Sequence, residues 1–522
     1  MSIFDSIAVR RKPESVFDLS HQVNLSANMG ELIPILLEEI LPGDTFRCQS
    51  QVLMRLAPML APVMHKVNVY VHYFFVPNRL VWDNWNDHIT GGEKGDKNPA
   101  HPQVNMADVI KSQFAKGTLA DYLGLPVIDQ GSTYQASQTV SALPFRGYQL
   151  IYDEFYRDQD LIPSLEISKG DGQVDPAEQQ KLTTLRKRAW ARDYFTACRP
   201  DSQKGASVLM PGQTVNYSPI ARAIRTDGND ASGAISATTG NLQDPTTQVR
   251  IENIDSISAA TVEDVRVANR LQEWLELAQR GGSRINEVIR NFFDVTPDDL
   301  RLQRPQYLGG GVQPIVMSEV LNTASDTDPS QQGALQPLGE YGGHGISLGR
   351  SNQFTRRFKE HGYVHAIMSV LPKTSYQQGI HRHWRKYDKF EKYWPQFANV
   401  GEQEVQNREI FNSNDQTTAN REATFGYIPK YSEYKFACDR VAGEMRQTGT
   451  DSANLNLSFW HMARYFANVP TLNEEFISAD PSQNIFANTD KQVDKLYIQI
   501  KHKVKAKRKM PYHSIPSNMP VV

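Results

Sequence analysis

Along residues 45–56 apolar and polar side chains alternate. Phe46, Cys48, Val52, Met54 and Leu56 share one face, and Thr45, Arg47, Gln49 and Gln51 take the other. A period of two is the mark of a half-buried strand. The pattern returns over residues 66–75, where Val67, Val69, Val71, Tyr73 and Phe75 oppose Lys66, Asn68 and His72. The intervening residues are apolar and interrupted by Pro58 and Pro62, so the two strands are expected to pair across a proline-broken turn. Each buries only one face, which calls for a second sheet above them. Shorter alternating stretches at 363–371, 431–438 and 493–506 carry the strand pattern into the last third of the chain. Strands scattered over the whole length, with no internal repeat and no Gly/Ser- or Pro-rich linker, predict one sandwich interrupted by insertions.

The helical signals fall between the strands. Asn78 opens a short helix with Val81, Trp85 and Ile89 on its apolar side, and Gly91-Gly92 ends it. Residues 143–161 place Tyr148, Ile151, Tyr152, Phe155 and Tyr156 in one wide stripe, as an amphipathic helix laid on the sandwich does. No aromatic residue occurs from Ser218 to Glu273, and residues 226–260 are mostly Asp, Asn, Gly, Ser, Thr and Ala. Such a segment has little to bury. It leads into a helix over 261–280, opened by Thr261 and Asp264, striped by Val265, Ala268, Leu271, Leu275 and Ala278, and stopped by Gly281-Gly282. The expected picture is a surface projection on a helical stem.

Composition narrows the class. With 522 residues, 39% hydrophobic and 10% aromatic, the chain can bury a sizeable core, and 33 glycines and 29 prolines make it rich in loops. A net charge of −2 excludes a globally basic nucleic-acid binder, so any such contact must be local. Cys48, Cys198 and Cys438 form no CxxC pair, and an odd number cannot all pair within the chain; buried, reduced thiols are expected. The first twenty residues lack the apolar core of a secretory signal, and the longest apolar run, near residues 67–76, is too short to cross a bilayer. The expectation is a protein kept in a cytoplasm, with no membrane insertion.

Candidate chemistry is sparse. GISLG, residues 345–349, matches the G-x-S-x-G nucleophile elbow at Ser347, and Asp388 and His461 follow in hydrolase order. EYGGHG before it does not read as an apolar strand, however, and RSNQF after it opens a helix poorly, which argues against a catalytic serine. His381 and His383, two apart, lack the additional ligands of a zinc site. In HRHWRKYDKFEKYW the bases interleave with Trp384, Tyr387, Phe390, Tyr393 and Trp394. Such rings can stack single-stranded bases, but the spacing suits packing or a subunit contact better. No catalytic, cofactor-binding or metal-ligating residue is assigned. The C-terminal run is more distinctive. Lys501, Lys503, Lys505 and Lys507 occupy one face of a strand, with Ile498, Ile500, Val504 and Ala506 on the other. The lysines either hold phosphates or protect an edge strand from aggregation. Arg10, Arg11 and Lys12 are a second candidate for contact with nucleic acid.

Several segments together resemble the major capsid proteins of the gokushoviruses, single-stranded DNA bacteriophages of the microvirus family. LPGDTF, FFVPNRLVWDNW, LPFRGYQLIYDEFYRDQDL, RDYFTACRPDSQKG, RGGSRINEVIRNFF, RLQRPQYLGGG, YWPQFANVGEQEV and FGYIPKYSEYK carry the resemblance, in the family's order. It implies an all-β core, an eight-stranded antiparallel jelly roll of the viral capsid type with long helix- and loop-containing insertions. On this reading residues 1–522 form one such domain, with an N-terminal arm over 1–40, a variable surface insertion over 213–260, and the last strand with a basic arm over 493–522. The resemblance further implies a T=1 icosahedral shell of sixty copies around circular single-stranded DNA, assembled in the bacterial host. The implied partners are other copies of the chain, the packaged DNA, a small basic DNA-binding protein, a minor pilot-type protein, a scaffolding protein and a host surface receptor. The insertion would form the threefold protrusion, placing Asp227, Asn229, Asp230, Asn241 and Asp244 toward the host. No cofactor is implied.

Overall fold

The computed structural model describes residues 14–106, 112–127, 138–206, 208, 214–217, 223–225, 249–251, 254–258, 262–321, 341–412, 418–448 and 457–513. The chain divides into two compact units, residues 1–200 with 284–522, and Asp201–Ser283.

The first unit is built on two antiparallel sheets. Its main strands are β1 Ser15–Asp18, β2 His21–Ala27, β3 Ile33–Ile40, β4 Thr45–Leu56 and β5 Val67–Pro77. These are followed by β6 Gln306–Pro314, β7 Val316–Leu321, β8 Tyr341–Arg350, β9 Phe354–Arg357, β10 Gly362–Pro372 and β11 Leu496–Arg508. The larger, seven-stranded sheet runs β7-β8-β4-β11, with β1 and β2 on the far side of β11 and β9 also paired to β4; the smaller, four-stranded one runs β6-β5-β10-β3. One core lies between them. Phe46, Val52 and Met54 from β4 and Ile498, Ile500 and Val504 from β11 meet Val69, Val71 and Phe75 from β5 and Val364, Met368 and Val370 from β10 in a single buried cluster. Inside it, the Tyr73 hydroxyl of the smaller sheet donates to Ser50 Oγ at 2.6 Å in the larger, and lies 2.6 Å from Ser351 Oγ.

The strands read from alternation at 45–56, 66–75, 363–371 and 493–506 are present as β4, β5, β10 and β11. The expected pairing of the first two is not. β4 bonds to β11, β8 and β9, while β5 bonds to β6 and β10 in the opposite sheet. The linker explains this, since Ala57, Met59, Ala61 and Val63 are buried. An apolar connection that crosses the core satisfies those side chains, whereas a surface hairpin turn would leave them in water. The expected strand at 431–438 is also absent. Tyr431 takes the left-handed conformation at φ 64° and starts the short turn Ser432–Tyr434, which is held down by the ion pair of buried Glu433 with Lys386.

The outer face of the smaller sheet carries the second core cluster. Phe74, Val76 and Ile367 pack there against Phe145, Tyr148 and Ile151 of a helix, Leu143–Ile151. The expected longer helix stops at that point and widens into a π-turn, Tyr152–Tyr156. The short helix near Asn78 is instead a 3-10 turn, Asn78–Leu80, followed by the helix Trp85–Thr90, whose end is formed by Gly91 at φ 76°. The second unit contains the helix Val262–Gly281 and two short antiparallel strand pairs, Ala223–Arg225 with Val249–Ile251 and Thr214–Tyr217 with Ile254–Ser258. Cys48 and Cys198 are buried and Cys438 half-buried, all free thiols.

Candidate nucleic-acid interface

β11 is thirteen residues long and alternates buried and exposed from its first residue to Lys507. Leu496, Ile498, Ile500, His502, Val504 and Ala506 are buried, which turns Lys501, Lys503, Lys505 and Lys507 to solvent. At a strand rise of ~3.3 Å per residue, these four amines are spread over ~20 Å of the sheet face. The strand is central. It pairs with β4 along one side and with β1 and β2 along the other, so the lysines do not guard a free edge.

Antiparallel register extends the charge onto neighbouring strands. Lys505 stands opposite Arg47 and Lys501 opposite Gln51, which in turn faces Arg350 of β8. Thr45, the partner of Lys507, faces Arg357 of β9, and Arg55 lies on the same face beyond Tyr497. All four arginines are exposed. Arg47 was read among the odd positions of β4, and Arg55 continues that face. Arg350 and Arg357 were not read, because only the pairing of β8 and β9 with β4 brings them here.

Acidic neighbours temper one end of the patch. Lys507 forms an ion pair with Glu14 at 2.6 Å. That hydrogen bond, reinforced by the lysine's charge, holds the Glu14 carboxyl below its ordinary value. Asp18, in register with Lys505, sits below its ordinary value through hydrogen bonds from Ser20, with the charge of Lys505 adding to the effect. Lys501, Lys503 and Lys505 have no carboxylate within ion-pair distance among the described residues. A row of unpaired cations on a rigid sheet can neutralise phosphates without reading bases, because it offers charge at fixed spacing and no groove-shaped donor pattern.

The other candidates fall elsewhere. Arg10, Arg11 and Lys12 lie outside the described residues, as do Asp227, Asn229, Asp230, Asn241 and Asp244. Ser347 is 1% exposed, in the middle of β8; its hydroxyl donates to the Pro314 carbonyl at 2.8 Å and accepts from Gln313 at 3.0 Å. A serine consumed in this way inside a strand cannot serve as a nucleophile on a turn. His381 and His383 lie with their rings together, and among the described residues no group of three or more His, Cys, Asp or Glu could hold a metal.

The described residues thus combine an antiparallel two-sheet core, a cationic outer face on the larger sheet, and a candidate nucleophile, Ser347, that is buried and hydrogen-bonded. Comparison with known sequences gives the class. The sequence profile of the family described as "Capsid protein (F protein)" matches residues 4–518. Capsid protein VP1 of Bdellovibrio phage phiMH2K is 34% identical over 491 residues, covering 89% of this chain and 88% of its own length. VP1 of Chlamydia phage 1 is 31% identical over 98% of this chain and 97% of its own length, and VP1 of Spiroplasma virus 4 is 27% identical over 97% and 95%. The chain belongs to the capsid protein (F protein) family of microvirus-type phages, within the gokushovirus-type group. It is a structural component of a virion and not an enzyme.

Proposed function

We propose that sixty copies of this chain assemble into a T=1 icosahedral shell around a circular single-stranded DNA genome, with the outer face of the larger sheet turned toward the DNA. The observation that carries the orientation is the row Lys501, Lys503 and Lys505, without ion-pair partners among the described residues and flanked by Arg47 and Arg350 on a face whose reverse side is core. Genome enclosure by one repeated chain needs a sequence-independent, salt-sensitive attraction for phosphate, and a one-sided cationic sheet supplies it.

The reading includes an eight-stranded jelly roll. Two four-strand paths support it, β2-β11-β4-β8 in the larger sheet and β3-β10-β5-β6 in the smaller, in which the strands of the first half of the fold alternate between sheets. On the same reading the 213–260 insertion forms the threefold protrusion that meets a host receptor, and Arg10, Arg11 and Lys12 add to the DNA-facing charge. The small basic DNA-binding protein, the pilot-type protein and the scaffolding protein are its partners in assembly.

Reversing Lys501, Lys503 and Lys505 to Glu together, within the source genome, tests the orientation. Nuclease-protected DNA per particle should fall at least severalfold while the subunit keeps its melting temperature. Unchanged DNA content in particles of normal yield would refute it.

A further inference from the structure

Residues 382–397 run through three short 3-10 turns, Arg382–Arg385, Lys389–Glu391 and Pro395–Phe397. The segment is pinned from beneath. Arg382 and Arg385 reach buried Glu409 at 3.4 and 3.5 Å, and Lys386 reaches buried Glu433 at 2.6 Å. The Trp394 indole N–H donates to the Lys389 carbonyl at 2.7 Å, and Asp388 caps the middle turn. The rings gain no such cover. Tyr387 is 88% and Trp384 69% exposed, and Phe390, Tyr393, Trp394 and Phe397 lie between 55% and 37%. Six large aromatic residues are thus held in a fixed arrangement with much of their surface in water, beside exposed Tyr434, whose ring lies 6.2 Å from that of Tyr393.

We propose that this ridge is a contact for a second copy of the chain. The proposal rests on the shell reading above and locates where a neighbour is gripped. Its size fits. At ~200 Å² per aromatic side chain, the exposed fractions leave ~700 Å² of ring surface, close to the ~800 Å² that each partner contributes to a standard interface. Its composition fits as well, since interface centres are enriched in Trp, Tyr and Phe, and this much exposed aromatic surface over residues 382–397 is uncommon on a free surface. The charge pattern favours protein over nucleic acid. Arg382, Arg385 and Lys386 are committed to buried carboxylates, and the remaining cations Lys389 and Lys392 sit among Asp388 and Glu391. The accessible ridge therefore offers rings without surplus positive charge, unlike the face of β11.

The test is the double variant Tyr387→Ser, Phe390→Ser in the full chain, expressed with the rest of the source genome. Ile89→Ser, at a 50% exposed position of the helix Trp85–Thr90, is the control. Sedimentation should show at least a tenfold loss of fast particles for the double variant and none for the control. The double variant's subunits should melt at the wild-type temperature, because side chains so exposed contribute little to their own fold. Wild-type particle yield from the double variant would overturn the proposal, and so would normal yield with reduced protected DNA, which would assign the ridge to nucleic acid. Wild-type chain that neither forms particles nor self-associates would overturn the shell reading together with the ridge, whereas wild-type particles indifferent to the double variant would overturn the ridge alone.

Discussion

Replacing His365 with leucine should stabilise the subunit, and should do so more strongly in acid than at neutral pH. His365 is 0% exposed on β10, in register with Leu37 and Phe74, and among the described residues neither ring nitrogen has a hydrogen-bond partner. Its Nε2 points at Gly147, where an added Cβ would lie only 2.8 Å away, so the helix Leu143–Ile151 makes room for the ring by having no side chain there. Burial pushes the imidazole down from 6.5 to about 3. The folded chain therefore keeps the ring neutral while the unfolded chain protonates it below about pH 6.5. Above that pH the linkage costs nothing. As pH falls toward 4, the wild type loses ~3 kcal/mol at ~1.36 kcal/mol per pH unit. Removing an unpartnered buried polar group adds ~1 kcal/mol at any pH, the low end of a desolvation penalty less the small void that leucine leaves. With an unfolding entropy of ~2.1 cal/mol/K per residue, 1 kcal/mol moves the melting temperature of a chain this long by ~1 °C. His365→Leu should thus melt ~1 °C above wild type at pH 7.5 and ~4 °C above it at pH 4, read by thermal unfolding of dissociated subunits followed by circular dichroism. A difference that does not widen in acid would refute the assignment of a buried, unpartnered neutral imidazole.

Other expectations follow from the same geometry. Neutralising Lys501, Lys503 and Lys505 to Gln removes three phosphate contacts per subunit, so the slope of log affinity for single-stranded DNA against log salt should flatten by ~2; an unchanged slope would mean that these amines do not touch the strand. Tyr73→Phe deletes the hydroxyl that joins the two sheets through Ser50 and Ser351, and should cost ~1–2 kcal/mol in subunit unfolding while leaving assembly intact. Substituting Asp227, Asn229, Asp230, Asn241 and Asp244 with alanine should leave particle yield and protected DNA unchanged but lower adsorption to host cells, measured as the fraction of phage bound over time.

The strands at the centre of the larger sheet were legible because burial of only one face demands alternation. β4 and β11 each bury one face against the opposite sheet and expose the other, and both were read to within a few residues. β8 was not, and EYGGHG was judged unfit for a strand. Its inward positions are Gly343, Gly345, Ser347 and Gly349, where an added Cβ would lie 2.1 Å from the Ala61 carbonyl, 2.3 Å from the Leu56 side chain and 2.1 Å from Gln313, for the three glycines in turn. Close approach by neighbouring chain replaced the apolar signal with small residues, and nothing local records that approach. The lysine row was legible in the same way as β11 itself. Its central place in the sheet and its arginine neighbours depended on long-range register. The aromatic run after His381 was legible as a set of rings, but its spacing near three imitates a helix, and only the buried anchors Glu409 and Glu433 show that it is a ridge facing outward.

The most direct test of the shell reading is the mass and content of the fast-sedimenting species from host cells carrying the source genome, by native mass determination with nuclease digestion. Sixty copies of a 59.0 kDa chain predict ~3.5 MDa of this protein per particle, enclosing nuclease-protected single-stranded DNA that is released at high salt once the shell is opened. A particle with another copy number, or one whose protein forms a complete shell without holding DNA, would contradict the account.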